Sequence, residues 1–261
     1  MQNIYIHINK NEYIAVNIFE PKQKPKGIVF ILHGLAGFKE EDYLLEVAHI
    51  FLKHKITVIN YDARFSLGDS SGDLKKSCFS NFIDDFDIVL SWAKKQKFYQ
   101  EPFFIAGHSL GAGTALFRAI QEPNHIKGIV CLSPVYNGEK LLLSYQKERP
   151  DFLKKWQEEK YIFRQRPDNP SKKGFISYDH MIDAQKYQLE KETHNITAPT
   201  LIITGDSDIS STIEINQTLF DSLSSKKELH IIKNAKHTYK TDENKKALTL
   251  LIDNWLKKIN K

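Results

Sequence analysis

Apolar residues recur along this chain with two periods, and the two periods take turns. Ile4, Ile6 and Ile8 alternate with Tyr5 and His7, a polar Asn9-Lys10-Asn11-Glu12 turn follows, and the chain is largely apolar again from Tyr13 to Phe19. This is the pattern of two strands joined by a turn. A Lys/Pro loop, Pro21 to Lys26, leads into Gly27-Ile28-Val29-Phe30-Ile31-Leu32, apolar without alternation and rich in β-branched residues. Such a run suits a strand buried on both faces of a parallel sheet. The period then changes. Leu44, Val47, Ile50 and Phe51 predict a helix between Glu40 and Lys53, and Phe82, Phe86, Val89, Leu90 and Ala93 predict another between Ser80 and Lys95. Strands are expected at Ile56–Tyr61, Phe103–Ala106, Ile126–Leu132, Thr200–Thr204 and Leu229–Ile232. Further helices are expected at Leu110–Ile120, Ile213–Leu223 and Ala247–Ile259.

Strand and helix alternating in this way predict an α/β fold, a mostly parallel doubly wound sheet of about eight strands. The rhythm breaks between Val135 and Thr197. That stretch is rich in Lys, Arg, Glu and Tyr, is helical in pattern at Leu141–Tyr145, Phe152–Tyr161 and Met181–Leu189, and is too long for an ordinary connection. The expected organisation is therefore a core of residues 1–134 and 198–261, with 135–197 inserted as a cap over one end of the sheet. Lys172-Lys173-Gly174 reads as a solvated turn within it.

The chain has 261 residues, 41% of them hydrophobic and 26% charged, which excludes a disordered or fibrous protein. Its net charge of +5 is spread thinly and predicts no nucleic-acid surface. Cys78 and Cys131 are too few for a disulfide framework or a Cys-rich zinc site, and no His/Cys/Asp spacing for a metal is present, so neither metal nor organic cofactor is expected. No run approaches the roughly 20 apolar residues of a membrane span. With no signal-peptide pattern at the N-terminus, a cytoplasmic protein is expected, monomer or homodimer.

The chemistry lies in Ile105-Ala106-Gly107-His108-Ser109-Leu110-Gly111, a G-x-S-x-G string directly after a strand and directly before a helix. A serine on that sharp turn is lifted from the sheet, and Gly107 and Gly111 permit the close approach of neighbouring chains. The N–H of Leu110 at the helix start points where an oxyanion would form. A serine hydroxyl needs a base, and the base an orienting acid, in the order Ser, Asp/Glu, His. Of the histidines after Ser109, His125 precedes a strand, His180 and His194 belong to the insertion or its exit, and His230 lies inside a strand. His237, in the loop leaving the last strand, is the expected base. The acid is expected in Gly205-Asp206-Ser207-Asp208. Asp208 can reach across to His237, while Asp206 is suited to tying down the turn. His33-Gly34-Leu35-Ala36-Gly37 leaves a buried strand where a second oxyanion donor is required, the N–H of Leu35. His33 is read as a structural residue bonding that loop, and Gly34 and His108 as support for the motif.

These four ordered motifs, H-G-L-A-G, G-H-S-L-G, G-D-S-D and Lys236-His237-Thr238, resemble those of α/β-hydrolase fold serine hydrolases over almost the whole chain. Asn60 to Ser70 is similar to the D-x-R-G-x-G-x-S segment of many members, departing from it at Ala63-Arg64-Phe65. The run His33 to Glu41, H-G-L-A-G-F-K-E-E, resembles the bacterial cinnamoyl/feruloyl esterases, which carry a comparable insertion. The resemblance implies Ser109, Asp208 and His237 as a catalytic triad, the Leu35 and Leu110 N–H groups as oxyanion hole, and a small-molecule ester of a small or aromatic acid as substrate. It implies a pocket shaped by the cap, whose aromatics (Tyr145, Phe152, Trp156, Tyr161, Phe163, Phe175, Tyr178) either line it or form the cap's own core. The same motifs also serve monoacylglycerol lipases, thioesterases and S33-type peptidases. A peptidase would need an acid near the site to hold an amine, for which Glu158, Glu159 or Asp179 are candidates. A non-catalytic binding protein is the alternative outside enzymes, although such a scaffold would usually have lost one of the three triad residues.

Overall fold

The computed structural model describes residues 2–259. In chain order the strands are β1 (Gln2–His7), β2 (Tyr13–Phe19), β3 (Ile28–Leu32), β4 (Thr57–Tyr61), β5 (Phe103–His108), β6 (Ile126–Leu132), β7 (Tyr161–Gln165), β8 (Lys173–Ser177), β9 (Thr200–Gly205) and β10 (Lys227–Ile232). Eight of them form one sheet in the order β1-β2-β4-β3-β5-β6-β9-β10, while β7 and β8 pair with each other alone. Only the β1–β2 and β2–β4 pairings of the large sheet are antiparallel. Every residue of β3, β4, β5 and β9 is buried. Continuous apolar runs are what a strand covered on both faces requires, because neither set of alternating side chains meets water.

Helices supply the two covers. On one face α1 (Asp42–Lys53) and α8 (Asp242–Ile259) close a core of Val29, Ile31, Phe51, Val130, Ile203, Leu248 and Trp255. On the other, α2 (Phe79–Ala93), α3 (Leu110–Gln121) and α7 (Ile213–Ser222) close a core that includes Phe30, Phe82, Phe86, Ile105, Leu116 and Leu219. The expected fold class, a doubly wound α/β sheet of about eight strands, holds, and the expected elements of the sheet are present with ends moved by a few residues.

The segment between β6 and β9 differs from its helical expectation. It contains α4 (Gly138–Glu148), α5 (Pro150–Glu159) and α6 (Asp179–Ala184), but β7 and β8 form an antiparallel hairpin between α5 and α6. The third expected helix, Met181–Leu189, ends at Ala184 and continues as irregular turns. Lys173 and Gly174 lie in β8 rather than in a turn; the chain reverses just before, between Arg166 and Lys172.

Polar ties hold this segment to the sheet. Asp183 accepts from Ser80 N (2.9 Å) and Ser80 Oγ (2.8 Å) at the start of α2. Lys172 Nζ donates to Gly68 O (2.7 Å) and pairs with Asp69 at 2.9 Å. Asp69 in turn meets Lys39, whose Nζ lies 2.9 Å from Asp62 with both side chains 1% exposed. In the same loop Arg64 Nε donates to Asp85 at 2.6 Å, and Phe65 adopts φ 60°, the left-handed region that a glycine takes more cheaply.

Candidate active site

Strand β5 runs into α3 through a single residue, Ser109, at φ 54° and ψ −116°. A Cβ on Gly107 would lie 2.3 Å from the Gly111 carbonyl carbon, and one on Gly111 would lie 2.5 Å from Leu32 O. Both positions must therefore be glycine for the turn to close. The turn leaves Ser109 Oγ 3.0 Å from His237 Nε2. His237 follows β10, and its Nδ1 donates to Asp208 Oδ1 and Oδ2 at 3.0 and 2.9 Å.

Asp208 is 4% exposed and also accepts from the N–H groups of Ser210 and Ser211, both at 2.9 Å. Burial would raise its pKa, but His237 and these donors outweigh that and hold the carboxyl below the usual range. Asp206 takes another position. It is exposed and accepts from Asn234 N at 2.7 Å, pinning the end of β10. The structure thus brings Ser109, His237 and Asp208 into one hydrogen-bonded chain and leaves Asp206 outside it.

The N–H groups of Leu35 and Leu110 have no protein acceptor among the described residues, and both residues line the cavity that contains Ser109. Gly34 sits tightly beneath, since a Cβ there would lie 2.9 Å from both His108 Nδ1 and Ser109 Cβ. His33 is 1% exposed; its Nδ1–H donates to Gly34 O (2.7 Å) and its Nε2 accepts from Ala63 N (2.9 Å). With both nitrogens engaged by backbone, its ring fixes the loop after β3 against the loop after β4.

A second relay reaches the same loop from Glu41. Tyr43 Oη lies 2.5 Å from Glu41 Oε2 and 2.9 Å from His108 Nδ1, while His108 Nε2 lies 2.8 Å from His237 O. Counting protons assigns the donors. A carbonyl only accepts, so His108 Nε2 carries a hydrogen, and a neutral imidazole then accepts at Nδ1. Burial pushes the His108 pKa down to about 3, which keeps the ring neutral. Tyr43 Oη stands between His108 Nδ1 and Glu41 Oε2 and donates its hydrogen to the carboxyl at the shorter contact. Desolvation raises the Glu41 pKa, and the hydrogen bond from Tyr43 opposes that.

The cavity measures about 190 Å³. From the sheet side it is lined by Leu35, Glu41, Ser109, Leu110 and His237, and from the inserted segment by Leu141, Tyr145, Trp156, Ile162, Arg164, Ile176 and His180. Of the seven aromatics singled out from sequence, Tyr145 and Trp156 reach the cavity. Phe152 and Tyr178 pack on Trp156, and Tyr161, Phe163 and Phe175 are exposed on the outer face of the hairpin. Glu158 and Glu159 are exposed and face Lys154 and Lys155, and Asp179 accepts from Ser177; none lines the cavity. Glu41, Arg164 and His180 were not selected from sequence. In β7 the usable signal was alternation, which places Ile162 and Arg164 on the face opposite Tyr161 and Phe163.

A family model described as serine aminopeptidase, S33, matches residues 23–244. A monoglyceride lipase homolog of monkeypox virus is 26% identical over 94% of this chain and 95% of its own. Human monoglyceride lipase is 30% identical, but over only 48% of this chain and 40% of that protein. Among solved structures, Est1E of Butyrivibrio proteoclasticus with ferulic acid bound superposes with a TM-score of 0.78 at 20% identity, covering 99% of this chain and all of that one. A monoacylglycerol lipase of Paleococcus ferrophilus gives 0.70 at 21% identity over 94% and 99%. No helix among the described residues is long and apolar enough to cross a membrane.

Proposed function

Because the chain belongs to the serine aminopeptidase S33 family of α/β hydrolases, matched from residue 23 to 244, we propose that it is a serine hydrolase cleaving carboxylic esters of small or aromatic acids, with residues 135–197 acting as the cap over its site. The observation that carries this reading is the chain Ser109–His237–Asp208, with hydrogen bonds of 3.0 and 2.9 Å, beside two unpaired backbone donors.

The mechanism follows from those parts. His237 Nε2 takes the Ser109 proton as Oγ attacks the ester carbonyl. The N–H groups of Leu35 and Leu110 receive the oxyanion, and Asp208 stabilises the imidazolium and keeps its Nδ1–H turned inward. Collapse of the intermediate breaks the bond to the alcohol, which leaves with the proton from Nε2. Water then repeats the sequence on the acyl-enzyme, its proton passing through His237 and its oxygen ending in the free acid. Each proton taken is returned, so the cycle closes without a further co-reactant.

The family's name suggests cleavage next to a free amine, and the cavity charges argue against that for this chain. An ammonium group needs a free carboxylate; among the described residues the one carboxyl lining the cavity, Glu41, is taken up by Tyr43 Oη with its pKa raised by desolvation, and the permanent charge lining the same cavity is the cation Arg164. A monoacylglycerol lipase is the second reading, supported by the viral homolog that aligns along nearly the whole chain. The test is hydrolysis of p-nitrophenyl acetate, butyrate and octanoate, methyl ferulate, 1-oleoylglycerol and an aminoacyl p-nitroanilide, with Ser109→Ala as control. Turnover of short or aromatic esters that disappears in the variant is expected. Preference for 1-oleoylglycerol would move the assignment to the lipase, and turnover of the anilide alone would defeat both ester readings.

A further inference from the structure

Arg164 is unusual among the residues around the cavity. Strand alternation in β7 turns it to the same side as Ile162, whereas its neighbours Tyr161 and Phe163 are 44% and 48% exposed on the outer face. Its guanidinium has five N–H donors, yet among the described residues it has one acceptor, Phe163 O at 2.9 Å. No carboxylate among the described residues lies within 4 Å of it, while the other partly buried arginines of the chain, Arg64, Arg118 and Arg166, all have one. Phe152 lies under it, 5.9 Å from the guanidinium carbon, a contact that orients the plane but removes no charge. Burial lowers its pKa, Tyr145 offsets part of that, and Arg149 adds repulsion. A half-buried cation with most donors unused, placed at a substrate cavity, is poorly explained by stability alone.

Its neighbours in the cavity do not cancel it. Glu41 accepts from Tyr43 Oη, has its pKa raised by desolvation, and does not come within 4 Å of the guanidinium. His180 is 2% exposed, with its Nδ1 unbonded and its pKa pushed down by burial to about 4, so it presents a neutral ring with a hydrogen-bonding edge unused. The cavity is thus lined by one fixed positive charge, a planar guanidinium with most of its donors unused, the group that pairs best with a planar anion.

Resting on the ester reading, we infer that Arg164 is a specificity-determining residue that binds an anionic group on the substrate, so that the preferred esters carry a carboxylate or phosphate besides the ester being cleaved. The two sources differ in which side of the ester bears the charge.

The test uses two matched pairs: mono-p-nitrophenyl glutarate against p-nitrophenyl valerate, and 1-butyrylglycerol 3-phosphate against 1-butyrylglycerol. The enzymes are wild type, Arg164→Gln and Arg164→Lys. Wild type should favour the anionic member of one pair by tenfold or more in kcat/KM, and which pair does so identifies the source. Arg164→Gln should raise KM for that member by about ten- to hundredfold, the usual worth of a charge-assisted hydrogen bond, and leave its neutral partner within about twofold. Arg164→Lys should recover part of the loss. A neutral preference in both pairs, or an equal loss on both members in Arg164→Gln, would overturn the inference. Calorimetry separates it from the ester reading: glutarate or glycerol 3-phosphate should bind Ser109→Ala and lose about tenfold affinity when Arg164→Gln is added. Anion binding of that kind without hydrolysis of any ester would sink the ester reading alone. Hydrolysis of neutral esters without anion binding would sink the inference alone.

Discussion

Ser109 and Arg164 line one cavity, but the regions that supply them are built differently. Around Ser109 every residue of β5 is buried, and the adjoining turn is confined by Gly107 and Gly111, where a single added carbon would collide with backbone. Around Arg164, β7 has no fully buried residue, and the inserted segment is held by a small set of buried side chains such as Leu153, Trp156, Ile176 and Met181, together with polar ties at Asp183 and Lys172. A position packed by sheet neighbours on two sides cannot shift without cost to the whole core. A position on a two-stranded hairpin can be altered with local consequences. The proposed reaction geometry thus lies where the fold is rigid, and the proposed choice of substrate where change is cheap.

The sharpest way to break that comparison is to remove the proposed nucleophile. Ser109→Ala should lower kcat/KM by roughly 10⁶-fold with an unchanged thermal midpoint, and Asp208→Asn by roughly 10⁴-fold through loss of the inward-turned His237 tautomer. Steady-state kinetics on a p-nitrophenyl ester checks both. A residual rate in Ser109→Ala within tenfold of wild type would remove the rigid region from the chemistry.

Legibility in the sequence follows the same division. The strands of the sheet could be read because Ile28–Leu32 is apolar throughout and Thr57–Tyr61 and Thr200–Gly205 are largely so, and the site's turn because two glycines bracket a serine between strand and helix. The hairpin could not. In β7 and β8 the aromatics Tyr161, Phe163 and Phe175 occupy the solvent side and Arg164 the inner one, the reverse of the pattern that hydrophobic alternation predicts. Lys172-Lys173-Gly174 misled for a related reason: its lysines mark an exposed edge, and Lys172 is spent on Asp69, a partly exposed residue of the loop after β4. Glu41 was visible as part of a motif, but its relay needs Tyr43 and His108, which only tertiary contact brings together.

The next largest effect lies where the two regions meet. Lys39→Met leaves Asp62 as an uncompensated buried charge and should cost about 3–5 kcal/mol, measured by urea unfolding. Because Asp69 bridges Lys39 to Lys172, the loss should spread to the hairpin, seen as faster proteolysis between residues 161 and 177. A change under about 1 kcal/mol would mean the Lys39–Asp62 pair is not the joint between them.

A smaller effect isolates the inserted segment. Asp183→Ala removes the acceptor of Ser80 and should cost about 1–2 kcal/mol, discounted for partial solvation. Burial opposes ionisation of Asp183, but Lys186 and Ser80 hold its carboxyl below the usual range. Its folded pKa being lower than its unfolded one, the tie is fully present above about pH 4 and fades as pH falls through the folded value. Proteolysis of the segment in wild type should therefore quicken below about pH 4, and in Asp183→Ala should already be fast at pH 7. Equal susceptibility of the core strands in that variant would show that the two regions unfold as one.

Glu41 belongs to the rigid region yet lines the cavity beside Arg164, so its proton decides whether the two regions present one charge or a cancelling pair. Glu41→Gln is the fine test. A glutamine Oε1 can accept from Tyr43 Oη as the carboxyl does, so the contacts to His108 and the His237 carbonyl survive and neutral-ester kcat should change by less than about threefold. Stability carries the signal. With the folded pKa raised by desolvation, the unfolded chain loses its proton at about pH 4.3 while the folded chain keeps it. Wild type therefore loses stability as pH rises from there toward the folded value, and glutamine has no such loss. The gap between variant and wild type in urea midpoint should widen in favour of glutamine from pH 4 to 8. A gap that stays flat or narrows would mean Glu41 is ionised in the fold. The charge of Arg164 would then be partly answered from within the protein, leaving less of it for a substrate.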